Sequence, residues 1–198
     1  MNDKLVDLVI IIDKSGSMSG LESDVVGGFN NLIKEQLKSD KEVNVTTIFF
    51  DTDFHYVLKR ENAKTVKKLK PSDYRPSGCT SLLDAIGNGI SFIKDEYSKL
   101  DKELIPSNTI FSIMTDGLEN SSREYSYSKI KEMIETQKKE GWEFIFQAAN
   151  IDEVSEGIKL GIDVDDICKM DAHPEGIKEG FVVLGCAIAN KVSKKKKK

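Results

Sequence analysis

The sequence predicts a doubly wound α/β domain: a mostly parallel central sheet with one antiparallel edge strand and helices on both faces. Three features predict it. Strand-like runs alternate with amphipathic helical ones almost throughout, the first strand is apolar on both faces, and one hairpin interrupts the alternation near the start.

The elements follow in order. Leu5 to Ile12 is nearly all apolar and β-branched at its end, as a strand buried on both faces requires. Leu21, Val25, Phe29, Leu32, Ile33 and Leu37 recur at helical spacing. Val43 to Phe50 and Phe54 to Leu58 read as two strands around the turn Asp51-Thr52-Asp53. Lys59 to Ser77 is polar, basic and proline-bearing, which predicts mostly surface loop with one helical turn. Leu82, Leu83, Ile86, Ile90, Ile93, Tyr97 and Leu100 mark a second amphipathic helix. A strand over Thr109 to Thr115, a helix over Ser128 to Glu140 ended by Gly141, and a strand over Trp142 to Ala148 come next. A short helix around Val154 to Leu160, a weak strand near Ile167 to Met170 and a final helix from about Gly176 to Lys191 complete the chain.

Bulk properties narrow the function. A chain of 198 residues suffices for one domain with a sizeable core. The net charge is −4, and without Lys194 to Lys198 the body stands at −9, which argues against a nucleic-acid-binding body. The natural division is a domain over residues 1–192 and a lysine-rich tail over 193–198, read as solvated. The apolar run Leu8 to Ile12 is too short for a signal peptide or a membrane span. Cys79, Cys168 and Cys186 lack metal-finger spacing and suit reduced thiols, so a cytoplasmic location is expected.

The loop after the first strand carries two overlapping patterns. Gly16-Ser17-Met18-Ser19-Gly20 spells G-x-S-x-G, the nucleophile elbow of hydrolases, with Ser19 as nucleophile. Asp13-Lys14-Ser15-Gly16-Ser17 spells D-x-S-x-S, a set of oxygen ligands for a hard divalent cation. An elbow needs a sharp strand-to-helix turn and a late histidine. Ser19 lies several residues past the strand, and His173 beside Pro174 reads as a helix-entry residue. Metal-assisted phosphoryl transfer with Asp13 as nucleophile would want a second acid two residues on, where Ser15 stands, and no P-loop occurs. Asp163-Val164-Asp165-Asp166 lacks the glycine and terminal acid of an EF-hand and reads as a solvated turn.

The metal reading gathers further residues. Ligands of open α/β sheets bind at the carboxyl ends of strands. Asp13, Ser15 and Ser17 follow the first strand, Asp116 follows the strand ending at Thr115, and Thr80 lies in the loop before the second helix. Two carboxylates and three hydroxyls suit magnesium, which prefers oxygen donors and keeps several waters.

Asp13-Lys14-Ser15-Gly16-Ser17, Ser77-Gly78-Cys79-Thr80 and Thr115-Asp116-Gly117 together resemble the von Willebrand factor type A domain, over about residues 5–150. Glu119-Asn120-Ser121-Ser122-Arg123 and Trp142-Glu143-Phe144-Ile145-Phe146 are similar to stretches common in its bacterial, cytosolic members. The resemblance implies a Rossmann-like fold and a metal-ion-dependent adhesion site made by Asp13, Ser15, Ser17, Thr80 and Asp116. It implies Mg2+, with Mn2+ or Ca2+ as substitutes, the serines as direct ligands, the aspartates acting partly through water, and Thr80 joining when a ligand arrives. The expected function is therefore a non-enzymatic protein-binding module that captures an Asp or Glu of a partner protein. The alternative is a magnesium-dependent hydrolase or phosphotransferase using the same site.

Overall fold

The structure, a computed structural model, describes residues 1–149 and 152–194. Its elements are β1 (Asn2–Asp13), α1 (Glu22–Gln36), β2 (Glu42–Phe50), β3 (Phe54–Asn62), α2 (Leu82–Ser98), β4 (Pro106–Thr115), α3 (Tyr127–Lys139), β5 (Glu143–Ala148), α4 (Glu153–Lys159), β6 (Ile167–Lys169) and α5 (Pro174–Lys194). They form one six-stranded sheet in the order β3-β2-β1-β4-β5-β6. Every neighbouring pair is parallel except β2 and β3, which are antiparallel.

Strand β1 lies second from neither edge but between β2 and β4, and its sequence shows why. Val6, Leu8, Ile10 and Ile12 pack into the layer closed by α1 and α5, while Val9 and Ile11 pack into the layer closed by α2 and α3. A strand covered on both faces has no solvent side on which polar residues could alternate. Burying each such side chain stabilises the fold by about 1.5–3 kcal/mol. On α1, Val25, Phe29, Leu32 and Ile33 form the buried face. Where α1 crosses α5, a side-chain carbon on Gly28 would lie 2.1 Å from the ring of Phe181, so only glycine allows that approach.

Strand order reverses between β1 and β4: the chain steps outward from β1 through β2 to β3, then restarts at β4 on the other side. Loops leaving the carboxyl ends of those two strands diverge to opposite faces and leave a crevice between them.

Lys59 to Ser77 is mostly exposed loop, as expected, but its first residues are strand. Strand β3 continues to Asn62, four residues beyond the expected end at Leu58, through irregularities in its register with β2. At this bulge Arg60 has φ 48°, and its Nε donates to buried Asp7 Oδ2 at 2.7 Å. A bulge re-aims a side chain, which is how a basic residue in a polar stretch turns inward. Farther on, Ala63 and Tyr74 are buried, and the expected helical turn is present at Pro71–Asp73. The helix α5 runs through Lys194, and Lys195 to Lys198, the bulk of the expected tail, lie outside the described residues. Among the described residues, no helix is long and apolar enough to cross a membrane.

Candidate metal centre

Three loops meet at the crevice between β1 and β4. Asp13, the last residue of β1, is fully buried. Its Oδ1 accepts the Ser15 backbone N–H at 2.7 Å, and its Oδ2 accepts Thr115 Oγ1 from the end of β4 at 2.6 Å. Beneath it, the buried Tyr74 hydroxyl donates to the Asp13 carbonyl oxygen. Both carboxylate oxygens of Asp13 are therefore engaged by protein donors, which fixes their orientation.

Ser15 and Ser17 come next. The short 3₁₀ turn Gly16–Met18 anchors itself by burying Met18 completely, and it leaves Ser17 exposed. The Ser15 and Ser17 hydroxyl oxygens are 3.1 Å apart, and Ser17 Oγ donates to Asp116 Oδ1 at 2.7 Å. Asp116 is buried, and its second oxygen, Oδ2, has no hydrogen-bond partner.

Thr80 is buried and held by the loop that follows β4. Its N–H donates to Asn120 Oδ1 at 2.9 Å, and its carbonyl accepts the N–H groups of Asn120 and Ser121 at 3.0 and 3.3 Å. A side-chain carbon on Gly117 would sit 3.7 Å from Thr80 Oγ1, so this hydroxyl lies against the segment that carries Asp116. Gly16 N–H donates to the Gly78 carbonyl at 3.1 Å, joining the loop of Ser15 and Ser17 to that of Thr80. Gly78 has φ 69°, and a side chain there would strike Thr52, so glycine is required by conformation and by space.

All five expected residues, Asp13, Ser15, Ser17, Thr80 and Asp116, thus occupy one crevice. Burial pushes the pKa of Asp13 up, and its hydrogen bonds from Thr115 and Ser15 do not fully offset that; the Asp116 charge adds to the rise. Burial likewise raises Asp116, against the hydrogen bond from Ser17. Two carboxylates held close together and away from water are short of positive charge. A buried acceptor without a donor is costly unless something outside the chain completes it. A hard divalent cation supplies both needs, and the oxygen-only donor set fits it. Among the described residues no cluster of three or more His, Cys, Asp or Glu could hold a metal, so a soft nitrogen or sulfur centre has no counterpart here.

Sequence reading missed the supporting residues. Tyr74 lies in a polar stretch, and Thr115, though within the motif Thr115-Asp116-Gly117, has no role assigned by the sequence. The loop after Asp116 is pinned by Glu119, whose Oε2 accepts Leu83 N–H at the start of α2 at 2.9 Å. Asp84 adds to this by accepting the N–H groups of Arg123, Glu124 and Tyr125 at 2.8 to 3.0 Å. Acidic residues near a helix start were a readable signal for such anchoring, but their partners were not.

The competing sites do not assemble. Ser19 is exposed, and no hydrogen bond joins it to a histidine among the described residues. His173 is exposed and its Nδ1 accepts Gly176 N–H at 3.1 Å, a helix-entry contact on α5. The Asp163 to Asp166 segment is a turn whose acids pair with lysines, Lys138 to Asp163 and Lys191 to Asp166, each at 2.7 Å.

No protein-family model matches the sequence, and no curated protein matches it. Solved structures do. The vWF domain of the type V pili tip protein Mfa5 from Porphyromonas gingivalis matches with TM-score 0.67 and 11% identity, covering 95% of this chain and 96% of that one. Manganese-loaded Plasmodium vivax TRAP matches with TM-score 0.63 and 18% identity, over 92% of this chain and 75% of that one. Proximal thread matrix protein 1 from the mussel byssus, with a zinc-occupied MIDAS motif, matches with TM-score 0.61 and 14% identity, over 93% of this chain and 47% of that one. The chain spans less than half the length of the mussel protein. With this strand order, its single antiparallel edge and these neighbours, the chain has the von Willebrand factor type A fold.

Proposed function

We propose that the chain is a divalent-metal-dependent protein-binding module, holding an Asp or Glu of a partner protein at a Mg2+-occupied adhesion site. The observation that carries this reading is Asp116 Oδ2, buried without a partner on a carboxylate whose other oxygen accepts the Ser17 hydroxyl, itself 3.1 Å from that of Ser15. The Mn- and Zn-loaded neighbours support a divalent ion in this fold, and the all-oxygen donor set suits Mg2+ as it suits other hard divalent cations.

Each residue has a defined task. Ser15 and Ser17 present neutral oxygens, Asp116 presents a carboxylate, and Asp13 orients the loop by accepting Ser15 N–H and Thr115 Oγ1. A divalent cation held by these residues would supply the positive charge that a partner's carboxylate oxygen seeks. Thr80, buried in the adjoining loop, is held by Asn120. Among the described residues no histidine is hydrogen-bonded to these hydroxyls and carboxylates, which favours binding over hydrolysis or phosphoryl transfer. With its three cysteines unpaired, the chain fits a reducing cytoplasm, and the pilus setting of Mfa5 belongs to that protein.

The test is affinity capture from a cell extract in magnesium and in chelator, with wild type, Asp116→Asn and Thr80→Ala. A partner retained by wild type in magnesium, and lost with chelator or Asp116→Asn, supports the reading. Thr80→Ala should weaken capture more than it weakens Mg2+ binding. Capture indifferent to chelator and to both substitutions would mean that the partner binds elsewhere.

A further inference from the structure

The cation site already has a cation next to it. Lys14 stands between Asp13 and Ser15, so a positive charge is built into the loop that presents the metal ligands. Its ammonium is turned to the β2 side of β1, where it pairs with Asp51 just past the end of β2; the side chains are only 12% and 15% exposed. Asp116 follows β4, on the opposite side of β1.

Asp51 is held for this task by more than the lysine. Its Oδ1 accepts Asp53 N–H at 3.0 Å, its Oδ2 also accepts Ser77 Oγ at 3.2 Å, and its carbonyl accepts Ser81 N–H and Ser81 Oγ, both at 2.7 Å. Lys14 is fixed along its backbone, donating to the Phe50 carbonyl at 2.7 Å and accepting Ser77 N–H at 2.8 Å. A flexible four-carbon stem whose root is fixed can still swing its charged end. Without Asp51, the Asp13 and Asp116 carboxylates of the neighbouring crevice compete with Asp53 for the freed ammonium.

Resting on the metal reading proposed above, we infer that Asp51 is a positioning residue that holds the Lys14 ammonium on the β2 side of β1, keeping it from competing with the metal for the Asp13 and Asp116 carboxylates. The pair sets metal affinity. Removing Asp51 alone frees an internal competitor, whereas removing Lys14 alone leaves an extra carboxylate near the ion. A purely structural pair would behave differently, because loss of either partner would loosen the same loops and weaken the site.

The test is titration of the purified full chain with Mn2+ alone, read from the electron paramagnetic resonance signal of free Mn2+, with the melting temperature of each metal-free variant alongside. Asp51→Asn should weaken Mn2+ binding roughly tenfold or more, Lys14→Met should tighten it severalfold, and the double variant should return close to wild type. Opposite signs for the two single variants support the inference. Equal weakening by both, or unchanged affinity in Asp51→Asn while wild type binds Mn2+, overturns it. Should Asp51→Asn fail to fold, Lys14→Met alone decides: tighter binding supports the inference, and unchanged or weaker binding overturns it. Wild type that takes up no Mn2+ would instead sink the metal reading itself, a distinct outcome.

Discussion

Thr115 Oγ1 donates to Asp13 Oδ2 at 2.6 Å, joining the carboxyl ends of β1 and β4 across 102 residues of sequence. The hydroxyl also contacts the Gly117 carbonyl at 3.0 Å, so one side chain orients the Asp13 carboxylate and the Asp116 loop together. Thr115→Val keeps the shape and removes the donor, leaving a buried carboxylate oxygen unsatisfied. The expected cost to the metal-free protein is about 1–3 kcal/mol. Denaturant melts of Thr115→Val and Thr115→Ser check it, and Ser should recover most of the loss. Equal stability of the Val variant and wild type would show that this bond does not matter.

Magnesium should stabilise the fold by mass action, approaching about 2.7 kcal/mol at a hundred times the dissociation constant. Asp116→Asn should remove that gain. It should also raise the stability of the metal-free protein at neutral pH, because it discharges one of two buried carboxylates that repel each other. Thermal melts of both proteins with and without magnesium measure the two effects. A metal-free Asp116→Asn protein less stable than wild type would contradict the electrostatic account.

Ser17 and Ser19 should separate cleanly. Ser17→Ala removes the hydroxyl that lies 3.1 Å from Ser15 Oγ and donates to Asp116, so Mg2+ affinity should fall about tenfold. Ser19→Ala should change neither metal binding nor any hydrolytic activity. Calorimetric Mg2+ titration checks the first. An active-site serine probe checks the second, and labelling that disappears in Ser19→Ala would restore the hydrolase reading.

Lys191 gives a pH signature away from the proposed metal site. Burial disfavours its charge, but the hydrogen bond to Asp166 and the charges of Asp166 and Glu143 outweigh that, so its pKa is raised above 10.5. A raised lysine contributes stability that is complete below 10.5 and is lost as pH climbs through the higher folded-state value. The sole tryptophan, Trp142, lines the same small cavity as Lys191 and reports on it. Wild-type stability, followed by Trp142 fluorescence, should therefore fall more steeply above pH 10.5 than that of Lys191→Met. Parallel alkaline profiles would remove Lys191 from this role.

The pattern of hydrophobicity alone determined the layers. Leu8 to Ile12 had to be covered on both faces, and Val25, Phe29, Leu32 and Ile33 had to face inward, because the periods of strand and helix leave no other arrangement. That the five oxygen-bearing residues would converge was also legible, since each lies at a strand end or in a loop where an open α/β sheet binds its ligands. What the tertiary structure alone decided is who partners whom. Tyr74 sits under Asp13, Thr115 reaches its carboxylate, Asn120 holds Thr80, and Asp51 takes the Lys14 charge, across separations of 37 to 102 residues. Sequence period records only the face on which a side chain lies. A hydrogen bond depends on two loops arriving within about 3 Å of each other, which strand order and register set only after the sheet has closed.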